Sequence, residues 1–307
     1  MISLEAIERA ASVIDPVFRS TPQFEATALG RRLGCRILLK VETVNPIRCF
    51  KGRGTDFFLH QMHPTPRKLV TASAGNFGQG LAYAARSRGV EVDVFASESA
   101  NPLKIGRMRD LGATVYLAGR DFDDAKQHAR DHARTEGSFF VEDGREPAIT
   151  EGAGSIAVEL CQWPESIATV VIPLGNGALL GGMGTWIRHA SSGTKVVGVC
   201  ASGAPAMRDS LRARRAVATE EAKTIADGIA VRVPVPEALE YLAAVVDDVV
   251  LVSEGALRQA MTLVLEETGL VAEPAGVAGI AALIEHPSLR SGGLVATPLC
   301  GSNVLPG

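Results

Sequence analysis

The sequence predicts an α/β protein with two lobes, each a mainly parallel sheet flanked by helices. Short apolar runs alternate with helical stretches over residues 68–143 and again over 151–297, as in parallel strands joined by crossover helices. The length of 307 residues is enough for two lobes. The 32 glycines follow no repeat, which indicates loops near ligands and close packing of strands on helices.

The first 62 residues predict a helix, an extended segment, a strand and a second helix. Ser3 can cap the first helix, whose apolar residues fall on one face. Thr21-Pro22 ends that helix and begins the extended segment. A strand follows over residues 36–42, and Lys51 opens a helix that reaches about residue 62.

The middle of the chain predicts a small sheet. We expect strands over 68–73, 90–96, 113–118 and 138–143, with helices over 75–89, 102–112 and 121–137 between them. The C-terminal half predicts strands over 168–172, 195–200, 248–252 and 293–297, with helices over 151–162, 179–190, 204–215, 236–245, 254–268 and 274–285. We therefore predict a large domain of residues 1–64 and 148–307 and a small domain of residues 65–147, with a ligand cleft between the two lobes.

Composition excludes several classes of protein. The formal net charge is −3 and no basic run occurs, so we expect no nucleic-acid partner. The five cysteines show no CxxC spacing, which fits a reducing compartment. No apolar run reaches the roughly 18 residues of a membrane span, and the N-terminus does not resemble a signal peptide. We expect a soluble cytoplasmic protein without a membrane partner.

Lys51 is the first candidate catalytic residue. It lies between Phe50 and a glycine, just after the predicted strand 36–42. A lysine in an apolar, partly desolvated place can act as a nucleophile and form a Schiff base with a carbonyl. Taken alone, a solvated lysine at a helix start is the commoner explanation, so the interpretation depends on the other motifs.

The second motif is the run VIPLGNGALLGG, residues 171–182, in which a strand leads through a glycine-rich turn into a helix. Backbone N–H groups at such a helix start bind phosphate without a cationic side chain. A dinucleotide site would need an acid after the next strand, where Cys200, Ala201 and Ser202 stand instead, so NAD is the weaker alternative. No GxxxxGK[ST] motif occurs.

Two further turns follow predicted strands. SAGNFGQG, residues 73–80, offers N–H groups and the Ser73 hydroxyl, which could hold a carboxylate, although simple close packing of glycines would also explain it. LCGSN, residues 299–303, places Cys300 at the edge where α/β sheets bind ligands, although a small buried thiol is the commoner explanation.

Seven segments together, in order and spacing, resemble the threonine/serine dehydratase and serine racemase family. They are FKGRG, SAGNFGQG, the glycine-rich turn, TIADGIAVRVP, VDDVVLVSEGAL, EPAGVAGIAAL and LCGSN. The resemblance covers residues 3 to 304. It implies a pyridoxal 5′-phosphate (PLP) enzyme of fold type II, the tryptophan synthase β type, and a homodimer.

The resemblance implies a role for each matching residue. Lys51 would carry the cofactor and transfer protons. Other cofactor-binding residues would be Phe50 beside the ring, Asn76 at the ring oxygen, Cys300 at the ring nitrogen, Gly175, Asn176, Gly177, Ala178 and Leu179 at the phosphate, and Gly228 and Glu273 in the surrounding stretches. The substrate carboxylate would lie on Ser73, Ala74, Gly75, Asn76 and Phe77.

The departures from the family pattern refine the expectation. Family racemases have a proton-donating serine where this chain has Ala74, so we expect elimination rather than racemisation. Cys200 and Ala206 stand where the family has metal-binding acids, so we expect no divalent metal there. Glu142, Asp143 or Arg145 could face the substrate side chain, or could form a solvated turn.

The sequence thus predicts a PLP-dependent dehydratase that converts a β-hydroxy amino acid to a 2-oxo acid and ammonia. The substrate would be serine, threonine or a bulkier or charged analogue. The alternatives are an amino-acid racemase or a β-replacement synthase of the same fold, an NAD-dependent oxidoreductase, and a cofactor-free scaffold protein.

Overall fold

The computed structural model of the chain describes residues 2–304 and contains two separate sheets within that range. The helices are α1 (Leu4–Val13), α2 (Thr27–Leu33), α3 (Lys51–Gln61), α4 (Asn76–Arg86), α5 (Pro102–Asp110), α6 (Phe122–Glu136), α7 (Pro147–Leu160), α8 (Ala178–Ala190), α9 (Ala206–Ala213), α10 (Pro236–Val245), α11 (Glu254–Thr268) and α12 (Ala278–Glu285). The strands are β1 (Gln23–Glu25), β2 (Ile37–Val41), β3 (Lys68–Ala72), β4 (Glu91–Ala96), β5 (Thr114–Leu117), β6 (Phe139–Val141), β7 (Ile167–Pro173), β8 (Lys195–Ala201), β9 (Asp248–Val252) and β10 (Leu294–Leu299).

The larger sheet has six strands in the order β1-β2-β10-β7-β8-β9. All neighbours are parallel except β1, which runs antiparallel to β2. Strand β2 is buried along its whole length, and successive side chains enter different cores. Leu39 packs in the cluster that includes α11 and α12, whereas Leu38 packs in the cluster that includes α7 and α8. Burial on both faces explains the nearly continuous apolar runs of these strands.

The smaller sheet has four parallel strands in the order β5-β4-β3-β6, all drawn from residues 68–141. Both sheets are thus mainly parallel and carry helices, as the alternating sequence pattern predicts. Ligand sites of such sheets lie beyond the carboxyl ends of the strands. Among the helices formed by residues 2–304, none combines the length and apolar character that a bilayer crossing requires.

The structure corrects several predicted elements. The segment predicted as extended between Thr21 and the strand at 36–42 contains β1 and also α2, a helix that was not predicted. Ala26, at the start of α2, makes no side-chain cap, so the usual N-terminal signal is absent. Helix α7 begins at Pro147 rather than residue 151, and the predicted helix 274–285 begins as a 3₁₀ turn, Pro274–Val277.

A fully buried arginine anchors the first turn of α3. Arg53 donates to Glu42 at the end of β2 (Nε–Oε2 2.8 Å), to Glu159 near the end of α7 (Nη1–Oε1 2.8 Å) and to Thr21. Glu159 also accepts from the buried Lys40, at 2.6 Å. Burying such charges is costly unless each is paired, and removal of one partner from a buried pair costs about 3–5 kcal/mol. The start of α3 is therefore held against both β2 and α7.

This network predicts acid lability. Burial alone would raise the pKa of Glu159, but hydrogen bonds and attraction from Arg53 and Lys40 lower it to about 2. The carboxylate therefore contributes stability above its ordinary pKa of about 4.5, and that contribution, roughly 3 kcal/mol, is lost as the pH falls from about 4.5 to 2. Urea unfolding at pH 7, 5, 4 and 3 will show this loss, and the Glu159→Gln protein, already less stable at pH 7, will lose markedly less on acidification.

Glu165→Gln is the matched control, because Glu165 pairs with Arg36 on the surface. Its acid-induced loss should equal that of the parent protein. If Glu159→Gln loses as much stability on acidification as the parent protein, Glu159 is not the source of the acid lability.

Candidate active site

The predicted site residues come from loops at the carboxyl ends of strands of both sheets. Direct contacts link several of these loops. Phe50 N–H donates to Cys300 O at 3.1 Å, and Asn76 Nδ2 donates to Glu273 Oε1 at 2.5 Å. Because Asn303, in the loop after β10, also donates to Asn76, the structure brings the start of α3, the loop after β3 and the loop after β10 into one place.

Lys51 is the first residue of α3, and its side chain is only 14% exposed. Its Nζ lies 4.7 Å from the centroid of the Phe50 ring and 5.8 Å from that of Phe77. Nζ also donates to Asp143 Oδ2 at 2.6 Å. The amine thus lies between two aromatic rings, with a single carboxylate partner among residues 2–304.

The glycine-rich turn after β7 leads into α8 as predicted. Within the described part of the chain, no hydrogen-bond acceptor is found for the backbone N–H groups of residues 175–179. A Cβ on Gly175 would lie 2.8 Å from Gly228 O, so the turn passes too close to that backbone for a side chain. Gly177 adopts a φ of +101°, which favours glycine. Free N–H groups at the positive end of a helix form an anion site that suits a phosphate.

The loop after β3 is held by Ser73. Its Oγ accepts hydrogen bonds from the N–H groups of Gly75 (3.1 Å) and Gly78 (2.9 Å). Ala74, the next residue, is half-buried. A Cβ on Gly75 would lie 2.4 Å from Lys104 Cδ, which explains why the loop carries a glycine there. The Ser73 oxygen therefore shapes the loop, and its hydrogen remains free to donate to a ligand.

A buried polar network surrounds Asn76. Besides its bond to Glu273, Asn76 accepts from Asn303 Nδ2 at 2.8 Å, and Asn303 N–H donates to Glu273 Oε2 at 3.0 Å. Burial raises the pKa of Glu273, although Lys104, whose Nζ lies 3.5 Å from Oε2, opposes that rise. Burial would lower the pKa of Lys104, but attraction to Glu273 and Asp227 raises it. These contacts fix the orientation of the Asn76 amide.

Sequence reasoning did not identify Lys104, Asn303 or Asp227 as parts of the site. Asn303 and Asp227 lie inside quoted motifs, so their position next to assigned residues was the available signal. Lys104 lies on α5, a helix of the small sheet whose sequence carries no motif that indicates ligand binding.

Cys300 is buried, and its Sγ donates to Ala275 O at 3.7 Å. Burial strongly raises the pKa of this thiol, with a further contribution from the nearby Glu273. The side chain is therefore a neutral thiol at physiological pH.

The three residues considered for the substrate side chain are separated by the fold. Glu142 pairs with Arg130 at 2.8 Å, and Arg145 lies 3.4 Å from Glu237. Asp143 alone contacts Lys51. Of the three, it is the residue whose side chain reaches the candidate site.

At the place where relatives of the predicted family bind a metal, Cys200 is buried and donates to Leu174 O at 3.7 Å, and Ala206 begins α9. Residues 2–304 contain no group of three or more His, Cys, Asp and Glu side chains arranged to bind a metal ion. The absence of a metal stays a prediction.

The residues present fit a cofactor that carries an aldehyde and a phosphate. Lys51 offers a partly buried amine, and the turn at residues 175–179 offers free N–H groups. The two places are neighbours, because a Cβ on Gly144, which follows the partner of Lys51, would lie 2.6 Å from Asn176 O.

The chain is similar to known proteins along most of its length. A family model described as "Pyridoxal-phosphate dependent enzyme" matches residues 14–301. The chain is 33% identical to an L-threonine ammonia-lyase of Geobacter sulfurreducens and 34% identical to one of Thermotoga maritima, in each case over 99% of this chain and 76% of the relative.

Two solved structures are similar throughout. The threonine deaminase of T.th. superposes with a TM-score of 0.93 at 31% identity, covering 99% of both chains. Maize serine racemase also gives a TM-score of 0.93, covering 99% of this chain and 94% of that one, but its 21% identity supports the fold alone.

The tight turn predicts that Gly175→Ala will weaken cofactor binding. The added methyl would push Gly228 away and distort the N–H groups at the helix start. We expect affinity for PLP to fall about tenfold or more, which corresponds to about 1.4 kcal/mol. Absorbance titration of cofactor-free protein with PLP measures it.

Gly255→Ala is the control, because its Cβ would meet only Ser253 Oγ, at 3.6 Å. Its affinity should match the parent protein. If the parent, Gly175→Ala and Gly255→Ala bind PLP with equal affinity, the turn at residues 175–179 does not hold the phosphate.

Proposed function

This chain belongs to the family of pyridoxal-phosphate dependent enzymes, in which it is a dehydratase, and we propose that its substrates are L-threonine and L-serine. The family, fold type, cofactor and carbon–oxygen lyase activity predicted from the sequence are confirmed. The choice of substrate is supported by the relatives named L-threonine ammonia-lyase. The observation that carries it in this chain is the Lys51 amine, placed between Phe50 and Phe77 beside the glycine-rich turn.

When bound, PLP supplies an aldehyde that joins amines and a ring that withdraws electrons from the substrate Cα. Lys51 would hold the aldehyde, and the N–H groups of residues 175–179 would hold the phosphate. Phe50 would pack beside the ring, Asn76 would bind the ring oxygen and Cys300 would face the ring nitrogen. Gly228 and Glu273 would complete the wall, since Gly228 packs against the turn and Glu273 holds Asn76.

The loop of residues 73–77 would orient the substrate by its carboxylate, through free N–H groups and the Ser73 hydroxyl. Lys51 would then remove the proton from Cα, and the β-hydroxyl would leave as water. Hydrolysis of the remaining product gives a 2-oxo acid and ammonia. The neutral Cys300 thiol puts no negative charge beside the ring nitrogen, which favours prompt elimination.

Racemisation is the weaker candidate. Inversion requires a proton donor on the face of Cα opposite Lys51. Ala74, at the position where family racemases carry a serine, has no proton to give. The likeness to solved serine racemases supports the fold alone.

We further propose a homodimeric, cytoplasmic enzyme with no nucleic-acid or membrane partner. We also propose that residues 65–147 form a small domain on a large domain of residues 1–64 and 148–307. This division is supported by the sheets, because all strands of the four-stranded sheet lie within residues 68–141.

Lys51→Ala tests the central assignment. Without the amine, the purified protein should lack the visible absorbance of lysine-bound cofactor. Release of 2-oxo acid from L-threonine should fall by at least about 10³-fold. A coupled keto-acid assay measures the rate.

Lys195→Ala is the control, since Lys195 is exposed at the opposite end of β8, and it should behave as the parent does. Parental turnover by Lys51→Ala would refute the proposed function.

Ala74→Ser tests the choice of elimination over inversion. The new hydroxyl would return a proton to Cα, so D-serine should form from L-serine at a rate about tenfold or more above the parent. Chiral chromatography separates the enantiomers.

Ala74→Gly serves as the control without a hydroxyl and should form no additional D-serine. Equal D-serine formation by the serine and glycine variants would show that position 74 does not face Cα.

A further inference from the structure

Asp143 has an unusual environment for a carboxylate. Its side chain is only 16% exposed, and one oxygen, Oδ2, accepts from Lys51 Nζ at 2.6 Å. The other oxygen, Oδ1, is buried and has no hydrogen-bond partner among the described residues. A buried carboxylate oxygen without a donor is destabilising, and such groups call for a functional explanation.

The turn that carries Asp143 is rigidly placed. Gly144 adopts a φ of +87° and packs so closely on Asn176 that a Cβ would lie 2.6 Å from its carbonyl oxygen. The hydroxyl of the half-buried Tyr241 donates to Gly144 O at 3.2 Å. Backbone packing and this hydrogen bond together hold the carboxylate between Lys51 and the anion site.

The charged residues next to Asp143 in sequence pair with other side chains and not with Asp143. Glu142 lies 3.3 Å from Lys126 and pairs with Arg130, whereas Arg145 reaches Glu142 and Glu237. Within residues 2–304, Lys51 is the one cation within 4 Å of Asp143. A proton gained by Lys51 therefore has a direct acceptor.

We propose that Asp143 is the general acid of the elimination, which carries the proton from Lys51 to the departing β-hydroxyl. This inference rests on the proposed function. Lys51 takes the proton from Cα, and the electron pair of that C–H bond forms the Cα–Cβ double bond. The proton passes from Lys51 Nζ to Asp143 and then to the hydroxyl oxygen, which keeps the electron pair of the broken Cβ–O bond and leaves as water. Lys51 and Asp143 thus each gain and lose one proton, and both end the reaction in the protonation states in which they began it.

The structure favours this transfer. Lys51 Nζ and Asp143 Oδ2 lie within one hydrogen bond of each other, at 2.6 Å, which is the distance that direct proton transfer requires. Oδ1, which is buried and has no hydrogen-bond partner among the described residues, is available as the second position that a relay requires.

The test compares two leaving groups in the Asp143→Asn holoenzyme. A hydroxyl needs a proton to leave, whereas the chloride of β-chloro-L-alanine does not. For L-threonine we expect initial kcat/KM to fall by about 10²- to 10⁴-fold, and for β-chloro-L-alanine by less than about threefold. Asp143→Glu should recover part of the activity on L-threonine.

Glu142→Gln is the matched control, because it removes a carboxylate from the same turn that faces away from Lys51. Because Glu142 pairs with Lys126 and Arg130 and does not contact Lys51, this variant should change neither rate by more than about threefold. If Asp143→Asn lowers the rates with both substrates equally, Asp143 is not the acid and the proposal is overturned. If the parent enzyme releases 2-oxo acid from neither L-threonine nor L-serine, the proposed function falls as well.

A second readout uses the cofactor-free protein. Loss of the carboxylate removes the hydrogen bond that Lys51 Nζ donates to Asp143, so an amine-reactive reagent should label Lys51 at least about threefold faster in Asp143→Asn than in the parent or Glu142→Gln. Peptide mass spectrometry follows the label. Equal labelling rates in the three proteins would show that the contact is absent in solution and would overturn the proposal.

Discussion

The buried guanidinium of Arg53 is the interaction on which the candidate site depends. It joins Glu42, at the end of a strand of the large sheet, to Glu159, more than a hundred residues later on α7. Arg53 lies two residues after Lys51, in the same helical turn. A charge network without access to water tolerates little displacement, since each broken pair exposes an uncompensated charge. The Lys51 amine is therefore positioned by a buried charge network elsewhere in the fold.

The glycines around Lys51 serve the same purpose by packing. A Cβ on Gly52 would lie 2.3 Å from the Phe18 ring, and one on Gly54 would lie 2.4 Å from Ile149 O. Helix α4 also approaches closely, because Gly80 faces the backbone of Lys51 itself. The FKGRG motif thus combines Lys51, the anchoring Arg53 and two positions at which only a hydrogen atom fits.

Local sequence patterns predicted most of the strands and helices. Contacts between residues far apart in sequence could not be predicted from such patterns. Apolar runs and glycine-rich segments predicted both sheets and the turn between β7 and α8, because those features depend on neighbours in sequence. Helix α2 was missed because it has seven residues and no cap. The sequence could not show which of Glu142, Asp143 and Arg145 reaches the candidate site. Lys51 and Asp143 are 92 residues apart in sequence, and their contact depends on how the turn packs against the loop after β7.

The position of β10 has a consequence for synthesis of the protein. This strand, residues 294–299, lies in the middle of the large sheet between β2 and β7 and is the last strand of the described chain to leave the ribosome. Until it emerges, β2 and β7 both present unpaired edges, which favour aggregation. The large sheet therefore cannot form completely until β10 has been synthesised. We expect the nascent chain to bind chaperones during that interval.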